Sequence, residues 1–108
     1  MDLLSTNELL VMSAIVALGR NEAYGLAIHR KVRELAFPQE FSYGSLYPTL
    51  ERLEKKKYVK SRQVDPPADR GGLPRRYFEM EGTGEMALQA ARQSMERLIP
   101  LLQWEGGV

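Results

Sequence analysis

Three stretches within the first 57 residues carry apolar side chains at the three- and four-residue spacing of an α-helix. The first follows Ser5 or Thr6, either of which can cap a helix, and it ends at Gly19. The second runs from about Tyr24 to Ala36 and stops before Pro38, because the residue preceding a proline is pushed out of the helical conformation. The buried stripe of this second helix is expected to hold Tyr24, Ile28, Val32 and Leu35.

A third helix is predicted from about Ser42 to Lys57. Leu46, Leu50 and Leu53 recur at i, i+4 and i+7 and are expected to face the core. Pro48 is compatible with this helix if the helix starts late, since the N–H groups of a first turn have no helical acceptor. If the helix starts early, Pro48 should kink it.

After the third helix the pattern changes to a period of two, which is typical of β-strands. Tyr58–Val64 and Arg76–Met80 are predicted strands, and residues 65–74, with three prolines and Gly71-Gly72, form the loop between them. Three short helices followed by such a hairpin predict a mostly α fold with a small β-hairpin, the winged helix-turn-helix, in which the hairpin is the wing.

A last helix is predicted from about Thr83 to Gln103, although Pro100 should bend it or end it early. Its apolar residues follow steps of three and four, which is a heptad seam. Such a stripe is often ordinary core, but residues 1–80 already form a closed DNA-binding unit, so we expect residues 81–108 to pair with a second chain. The candidate dimerisation residues here are Leu88, Ala91, Met95, Leu98 and Leu102.

Charge is distributed unevenly along the 108 residues. The net charge is only +1, but residues 52–76 hold nine basic and three acidic side chains, a local charge of +6 that leaves −5 elsewhere. A solvated charged face would also produce this pattern. Together with the predicted fold, however, it favours a surface that contacts phosphate.

The third helix is expected to enter the major groove of DNA, which is wide enough for one α-helix. Adjacent strand residues point to opposite sides, so Arg75 and Arg76 should differ in effect. Half-buried packing is the alternative for Tyr43 and Tyr47. The candidate DNA-binding residues are Ser42, Tyr43, Gly44, Ser45, Tyr47, Pro48, Arg52 and Lys55 on the helix, and Arg70, Gly72, Arg75 and Arg76 on the wing.

Three segments resemble the PadR family of transcriptional regulators. Phe41–Glu54 is similar to its recognition-helix signature, Gly71–Phe78 to its wing and Ala23–Ile28 to the start of its second helix. A single helix after the wing is typical of the compact subfamily. The resemblance implies a cytoplasmic homodimer, usually a repressor, that binds a palindromic operator without a cofactor and is released by a small phenolic or other aromatic effector.

The chain departs from the family pattern at several positions. Lys57 stands where relatives commonly have glycine, and Met80-Glu81 stands where they usually have Leu-Thr. Compact relatives that bind planar ligands use a tryptophan within the last helix, near the position of Met95 here. The single tryptophan of this chain, Trp104, lies at the far end and is expected to pack against the partner chain.

Other functions find little support in the sequence. The chain has no cysteine, no metal-ligand cluster and no phosphate-binding glycine loop, and its single histidine, His29, is expected to be solvated, so we expect neither an enzyme nor a metal site. Neither a signal peptide nor a membrane span is expected. The alternative function is a winged-helix protein-interaction module without DNA binding, but that module should lack the basic residues of the third helix and wing.

Overall fold

The computed structural model describes residues 2–69 and 71–103. These residues form four α-helices and one antiparallel hairpin, which confirms the predicted mostly α fold with a small β-hairpin. A short 3-10 turn over Tyr43–Ser45 leads into the third helix. The elements are α1 (Thr6–Leu18), α2 (Gly25–Ala36), α3 (Leu46–Lys55), β1 (Val59–Val64), β2 (Arg75–Met80) and α4 (Gly82–Leu102).

The predicted boundaries of α1 are confirmed. The Ser5 side chain accepts a hydrogen bond from the Glu8 backbone N–H at 3.1 Å, and the Glu8 carboxylate accepts one from the Ser5 N–H at 2.9 Å. This reciprocal capping satisfies two donors that the first turn would otherwise leave unpaired. At the other end Gly19 adopts a φ of 79°, a conformation that costs glycine little.

The predicted stripe of α2 is correct in its centre and wrong at its end. Ile28 and Val32 are fully buried, and Tyr24 is the half-buried residue that precedes the helix. Leu35, in contrast, is half exposed, and Phe37 beyond it is largely exposed. The last turn of α2 therefore extends past the elements that cover its middle.

α3 starts late, as Pro48 requires. The 3-10 turn ends at Ser45, and Pro48 is the third residue of the α-helix, where an N–H would have no helical acceptor. The predicted core positions Leu46, Leu50 and Leu53 are all buried. The helix ends before Lys57, whose φ of 62° lies in the left-handed region that favours glycine.

The hairpin pairs β1 with β2 in a regular antiparallel register, from Val59 opposite Met80 to Val64 opposite Arg75. Tyr24 forms an isolated bridge with Tyr77, and the Phe78 N–H donates to the Ala23 carbonyl at 2.8 Å. The start of α2 is thereby fixed to the outer edge of β2.

The core lies between α1, α2, α3, one face of the hairpin and the start of α4. Its largest members are fully or almost fully buried aliphatic, methionine and phenylalanine side chains. They include Val11, Met12, Ile15, Ile28, Val32, Leu46, Leu50, Leu53, Val59 and Phe78.

α4 packs on this core only through its first turns. A Cβ on Gly84 would clash with the Tyr58 carbonyl, so the absence of a side chain allows the close approach of α4 to the turn before β1. Ala87 is buried and Leu88 packs against the core. The helix continues through Pro100 to Leu102, so the expectation that it ends early is wrong; a proline there removes a single helical hydrogen bond close to the end of the helix.

Candidate nucleic-acid interface

The turn that leads into α3 presents small polar groups to solvent. Ser42, Tyr43 and Gly44 are exposed and Ser45 is half-buried. The hydroxyl oxygens of Ser42 and Ser45 lie 2.9 Å apart, and the Ser45 carbonyl accepts a hydrogen bond from the Thr49 hydroxyl at 2.7 Å. This segment can bring hydroxyls and bare backbone close to a base edge or a phosphate.

Aromatic rings pack against this turn on the side that faces α2. The Tyr43 ring lies edge-on to His29 at 5.0 Å and to Tyr47 at 6.0 Å between ring centroids. A Cβ on Gly25 would clash with the Tyr47 hydroxyl, so the Tyr47 side chain lies directly against the start of α2. Burial raises the pKa of the Tyr47 phenol, the neighbouring Tyr43 hydroxyl raises it further, and the charge of Arg76 offsets part of the rise. Tyr47 therefore stays a neutral hydrogen-bond donor at ordinary pH.

The sequence predicted a solvated His29, and this prediction is wrong. The histidine is half-buried, and its Nε2 lies 3.2 Å from the Phe41 carbonyl oxygen. His29 is half-buried because the segment before α3 passes over the middle of α2. The contact with Tyr43 makes His29 a support of the α3 turn.

The exposed side of α3 and the start of β2 form the walls of one groove. Its volume is about 680 Å³. Three of the predicted helix residues and one predicted wing residue meet in it. The lining residues are Pro48, Glu51, Arg52, Glu54, Lys55 and Arg76.

Arg76 is fixed to α3 within this groove. Its Nη2 donates to both carboxylate oxygens of Glu54, at 3.0 and 3.3 Å, and its Nε donates to the Ser61 hydroxyl at 2.9 Å. Ser61 in turn donates to Glu54 at 3.1 Å. One guanidinium thus joins α3, β1 and β2.

Arg75 points to the opposite face of the hairpin. Its guanidinium carbon lies 4.1 Å from the centroid of the Tyr24 ring, which meets the Tyr77 ring edge-on at 5.7 Å. The guanidinium carbon of Arg62 lies over the Tyr77 ring, 5.4 Å from its centroid. The two consecutive arginines are therefore in different surroundings, one stacked on aromatic rings and the other ion-paired.

The predicted wing residues lie in different parts of the hairpin. Arg75 and Arg76 are the first residues of β2, so the strand begins one residue earlier than the predicted start at Arg76. Gly72 is exposed in the loop, with a φ of 89°. Arg70 lies outside the described residues.

Several cations of the basic segment are paired within the chain. Lys56 donates to the buried Glu8 at 2.6 Å and Lys60 lies 4.0 Å from Glu79. The Glu8 carboxylate is buried, which alone would raise its pKa, but its hydrogen bonds with Lys56 and Ser5 outweigh burial and lower the pKa. Within residues 2–69 and 71–103, the exposed cations of this segment with no acidic partner are Arg52, Lys55 and Lys57.

Sequence reasoning missed the residues that hold the two arginines. Glu54, Ser61 and Tyr24 were not among the candidates. A signal for the first was present, since Arg76 lies two residues before the buried Phe78 and so shares its face toward α3. The stacking of Arg75 on Tyr24 depends on the bridge between distant segments, which no local pattern shows.

The described part of the chain offers neither a metal site nor a membrane span. No group of three or more histidine, aspartate or glutamate side chains there could hold a metal ion. None of the helices described has the length and apolar character that crossing a membrane requires.

Three solved structures of PadR regulators resemble this chain. A PadR family regulator from Clostridium difficile R20291 has a TM-score of 0.73 at 21% identity and shows the same fold, with 91% of this chain and 95% of that chain covered. A PadR-like regulator from Bacillus cereus has a TM-score of 0.66 at 26% identity, covering 90% and 94%. A PadR family regulator from Eggerthella lenta has the same TM-score at 27% identity, covering 86% and 77%. A search of curated proteins found no match.

A family model also matches the chain. The match runs over residues 15–90, from the middle of α1 through the wing to the first turns of α4, and the model describes the PadR-like family of transcriptional regulators. The three segments whose residues resemble that family all lie within this range. This chain is a member of the PadR-like family of transcriptional regulators.

Proposed function

We propose that the chain is a homodimeric repressor that binds a palindromic operator through α3 and the wing and is released by a small aromatic effector. The observation that carries the proposal is the groove that joins the exposed side of α3 to β2. It brings Arg52, Lys55 and Arg76 beside a polar turn that has no bulky side chain at Gly44. Such a surface fits a major groove and its bordering phosphates.

Each part of the candidate surface has a separate role in this proposal. Ser42, Ser45 and Tyr47 supply hydroxyls for base edges, Gly44 and Pro48 allow close approach, and Arg52 and Lys55 bind phosphates. On the wing Gly72 allows the loop to approach the duplex, while Arg75, Arg76 and Arg70 supply positive charge. Contacts to phosphate should affect all sequences alike, whereas contacts to bases should change sequence preference.

The dimer is proposed from the outer side of α4. Leu88 packs on the core, Ala91 and Met95 are half-buried, and farther along Leu98 and Leu102 are 49% and 77% exposed. Burial against a second chain would remove this apolar surface from water at about 25 cal/mol per Å². We propose Leu88, Ala91, Met95, Leu98 and Leu102 as the dimer contact; Trp104, also expected there, lies outside the described residues.

The division of labour follows the predicted boundary. Residues 1–80 bind DNA and residues 81–108 set the distance between two copies of α3, which must reach major grooves about 34–36 Å apart. The first turns of α4 pack on residues 1–80, and this packing would hold the two recognition helices at that distance.

The effector is proposed to bind beside the dimer contact. A groove of about 220 Å³ lies between the N-terminal segment and α4, and apolar side chains such as Leu4, Leu9, Ala91 and Met95 line much of it. An apolar cavity of about 150 Å³ is sufficient for one benzene ring. A ring bound here would touch the residues that pair the two chains and so alter the spacing of the two α3 helices.

Selection from a pool of random duplexes tests DNA recognition. The protein should enrich a two-fold symmetric site whose half-sites lie about 10–10.5 base pairs apart, or a multiple of that spacing. Binding should depend on salt: for about 6–10 neutralised phosphates, affinity falls by about 10³–10⁵ between 50 and 200 mM.

A pair of variants with the same charge change serves as the control. Arg52→Ala with Lys55→Ala removes two cations from α3 and should reduce both affinity and the salt slope. Arg92→Ala with Arg97→Ala removes two exposed cations from α4 and should change the affinity much less. Failure to enrich any sequence, with a salt slope near zero, would refute DNA binding.

A further inference from the structure

We propose that Glu54 is a positioning residue for DNA binding, because its carboxylate holds the Arg76 guanidinium between α3 and the wing. The inference rests on the proposed function, since it concerns how the proposed surface is kept in shape. It assigns an acidic residue a favourable role beside a polyanion, which is the opposite of what its charge alone predicts.

Geometry gives the first step. Glu54, Ser61 and Arg76 form a closed triangle of hydrogen bonds, with distances of 2.9 to 3.3 Å. Each member belongs to a different element: α3, β1 or β2. Because two strands and the recognition helix meet in one guanidinium, the triangle fixes the angle between the wing and α3.

The hydrogen bonds of Arg76 occupy one edge of its guanidinium. Arg76 uses Nε and Nη2 for Ser61 and Glu54, while Nη1 has no hydrogen-bond partner in residues 2–69 and 71–103. A planar guanidinium that is held along one edge presents its remaining donors in a fixed direction. Those donors remain available for a phosphate oxygen.

Burial gives the third step. The Glu54 side chain is 28% exposed and that of Arg76 is 50% exposed, and the guanidinium carbon lies 5.6 Å from the centroid of the Phe78 ring. The core thus closes one side of the pair and water reaches the other. The ion pair is ordered by its surroundings, and yet the cation remains accessible to DNA.

Ordinary electrostatics and the positioning role predict opposite signs for one substitution. Removing a negative charge from a DNA-facing groove should raise affinity for DNA. If Glu54 instead holds Arg76 in place, removing it frees a long side chain and loosens the wing, and affinity should fall.

Glu51 provides the matched control. It lines the same groove three residues earlier in α3, it is exposed, and it forms no ion pair with any residue that the structure describes. Glu51→Gln and Glu54→Gln therefore make the same change of charge in the same groove. Only the second removes the charge that pairs with Arg76 and one of the two oxygens that accept its hydrogen bonds.

The experiment measures the dissociation constant of each full-length variant for the duplex enriched by selection, with the melting temperature and mass of each variant recorded. Glu51→Gln should raise affinity, whereas Glu54→Gln should lower it by roughly three- to tenfold, the size of one hydrogen-bonded contact. In an Arg76→Ala background Glu54→Gln should instead raise affinity, as Glu51→Gln does. If Glu54→Gln does not fold, Glu54→Asp, which keeps the charge but shortens the reach, is expected to lower affinity in its place.

Two outcomes would overturn the inference. One is a rise in affinity for Glu54→Gln equal to that of Glu51→Gln. The other is an equal loss with and without Arg76, which would mean that Glu54 acts by another route. Absence of DNA binding by the unmodified protein would instead refute the proposed function, so the two failures are distinguishable.

Discussion

The segment from α1 to β2 and the outer half of α4 differ in how much of their apolar side-chain surface is buried within the chain. The first segment buries a core of aliphatic, methionine and phenylalanine side chains, and its most exposed apolar residues, Phe37 and Leu73, lie at the end of α2 and in the wing loop. The second leaves Leu98, Leu101 and Leu102 in contact with water. Among the described residues, the first segment and the first turns of α4 enclose one core, whereas the outer half of α4 has an apolar side that no other described element covers.

Because of this difference, salt should affect the proposed DNA binding and the proposed pairing of chains to different extents. In the proposed function, recognition by α3 and the wing depends on charge and hydrogen bonding, which salt weakens. In the proposed dimer, association along α4 depends on apolar burial, which salt affects much less. Substitutions can therefore separate the two functions.

The largest effect is expected from Met95→Glu combined with Leu98→Glu. Two carboxylates on the apolar side of α4 should prevent pairing, and loss of the tethered second copy should lower operator affinity by about 10²–10⁴. Gln89→Glu with Gln93→Glu adds the same charge at exposed positions of α4 and should leave the dimer intact. Sedimentation and gel shifts measure both pairs; a monomeric first variant with unchanged affinity would contradict the dimer mechanism.

A smaller effect is expected from Glu8→Gln in the first turn of α1. The Glu8 side chain is 4% exposed, and its hydrogen bonds lower its pKa in the folded state. At neutral pH the substitution should lower the free energy of unfolding by about 1–2 kcal/mol, because it removes a hydrogen bond between charged groups. That contribution is present above the unfolded-state pKa and is lost as the pH falls through the lower folded-state pKa.

The variant and the unmodified protein should therefore converge in stability in acid. Glu85→Gln is the matched control, since Glu85 is also in the first turn of a helix but is exposed. Denaturant unfolding from pH 7 to pH 3 measures both. A constant difference for Glu8→Gln across that range would show that the lowered pKa does not contribute.

The smallest effect is expected where α3 turns into β1. Lys57→Gly should stabilise the fold by roughly 0.5–1 kcal/mol, because glycine adopts a positive φ without the steric cost that lysine incurs. Glu51→Gly, at an exposed position within α3, should destabilise it by about 1 kcal/mol. Thermal unfolding distinguishes the signs, and destabilisation by both would contradict the conformational argument.

Sequence patterns predicted those features that local chemistry determines. Helix capping by Ser5 or Thr6 and the burial of the α3 leucines each depend on a few neighbouring residues. The structure has Ser5 as the cap and buries all three leucines, and of the two possibilities left open at Pro48 it shows the late start. Leu35 was misplaced because its exposure depends on where other elements end. Lys57 was noted as a departure from the family, and its positive φ explains why glycine is common there.

The candidate surface was predictable residue by residue but not as a network. Alternation along β2 correctly separated Arg75 from Arg76. Their partners Tyr24 and Glu54 lie 51 and 22 residues away along the chain. Alternation along β2 places Arg76 on the side of α3, but no periodicity identifies the residue that it meets there. Contacts of this kind arise from tertiary packing, so they become visible only in the folded molecule.

Native mass spectrometry of the protein bound to its enriched duplex tests the two-region interpretation. If α3 and the wing of each chain bind DNA and the apolar sides of the two α4 helices pair, the complex should contain two 12.3 kDa chains per duplex. Raising the salt should then dissociate the DNA while the protein remains a dimer. A complex with a single chain, or a protein that separates into monomers as it leaves the DNA, would contradict it.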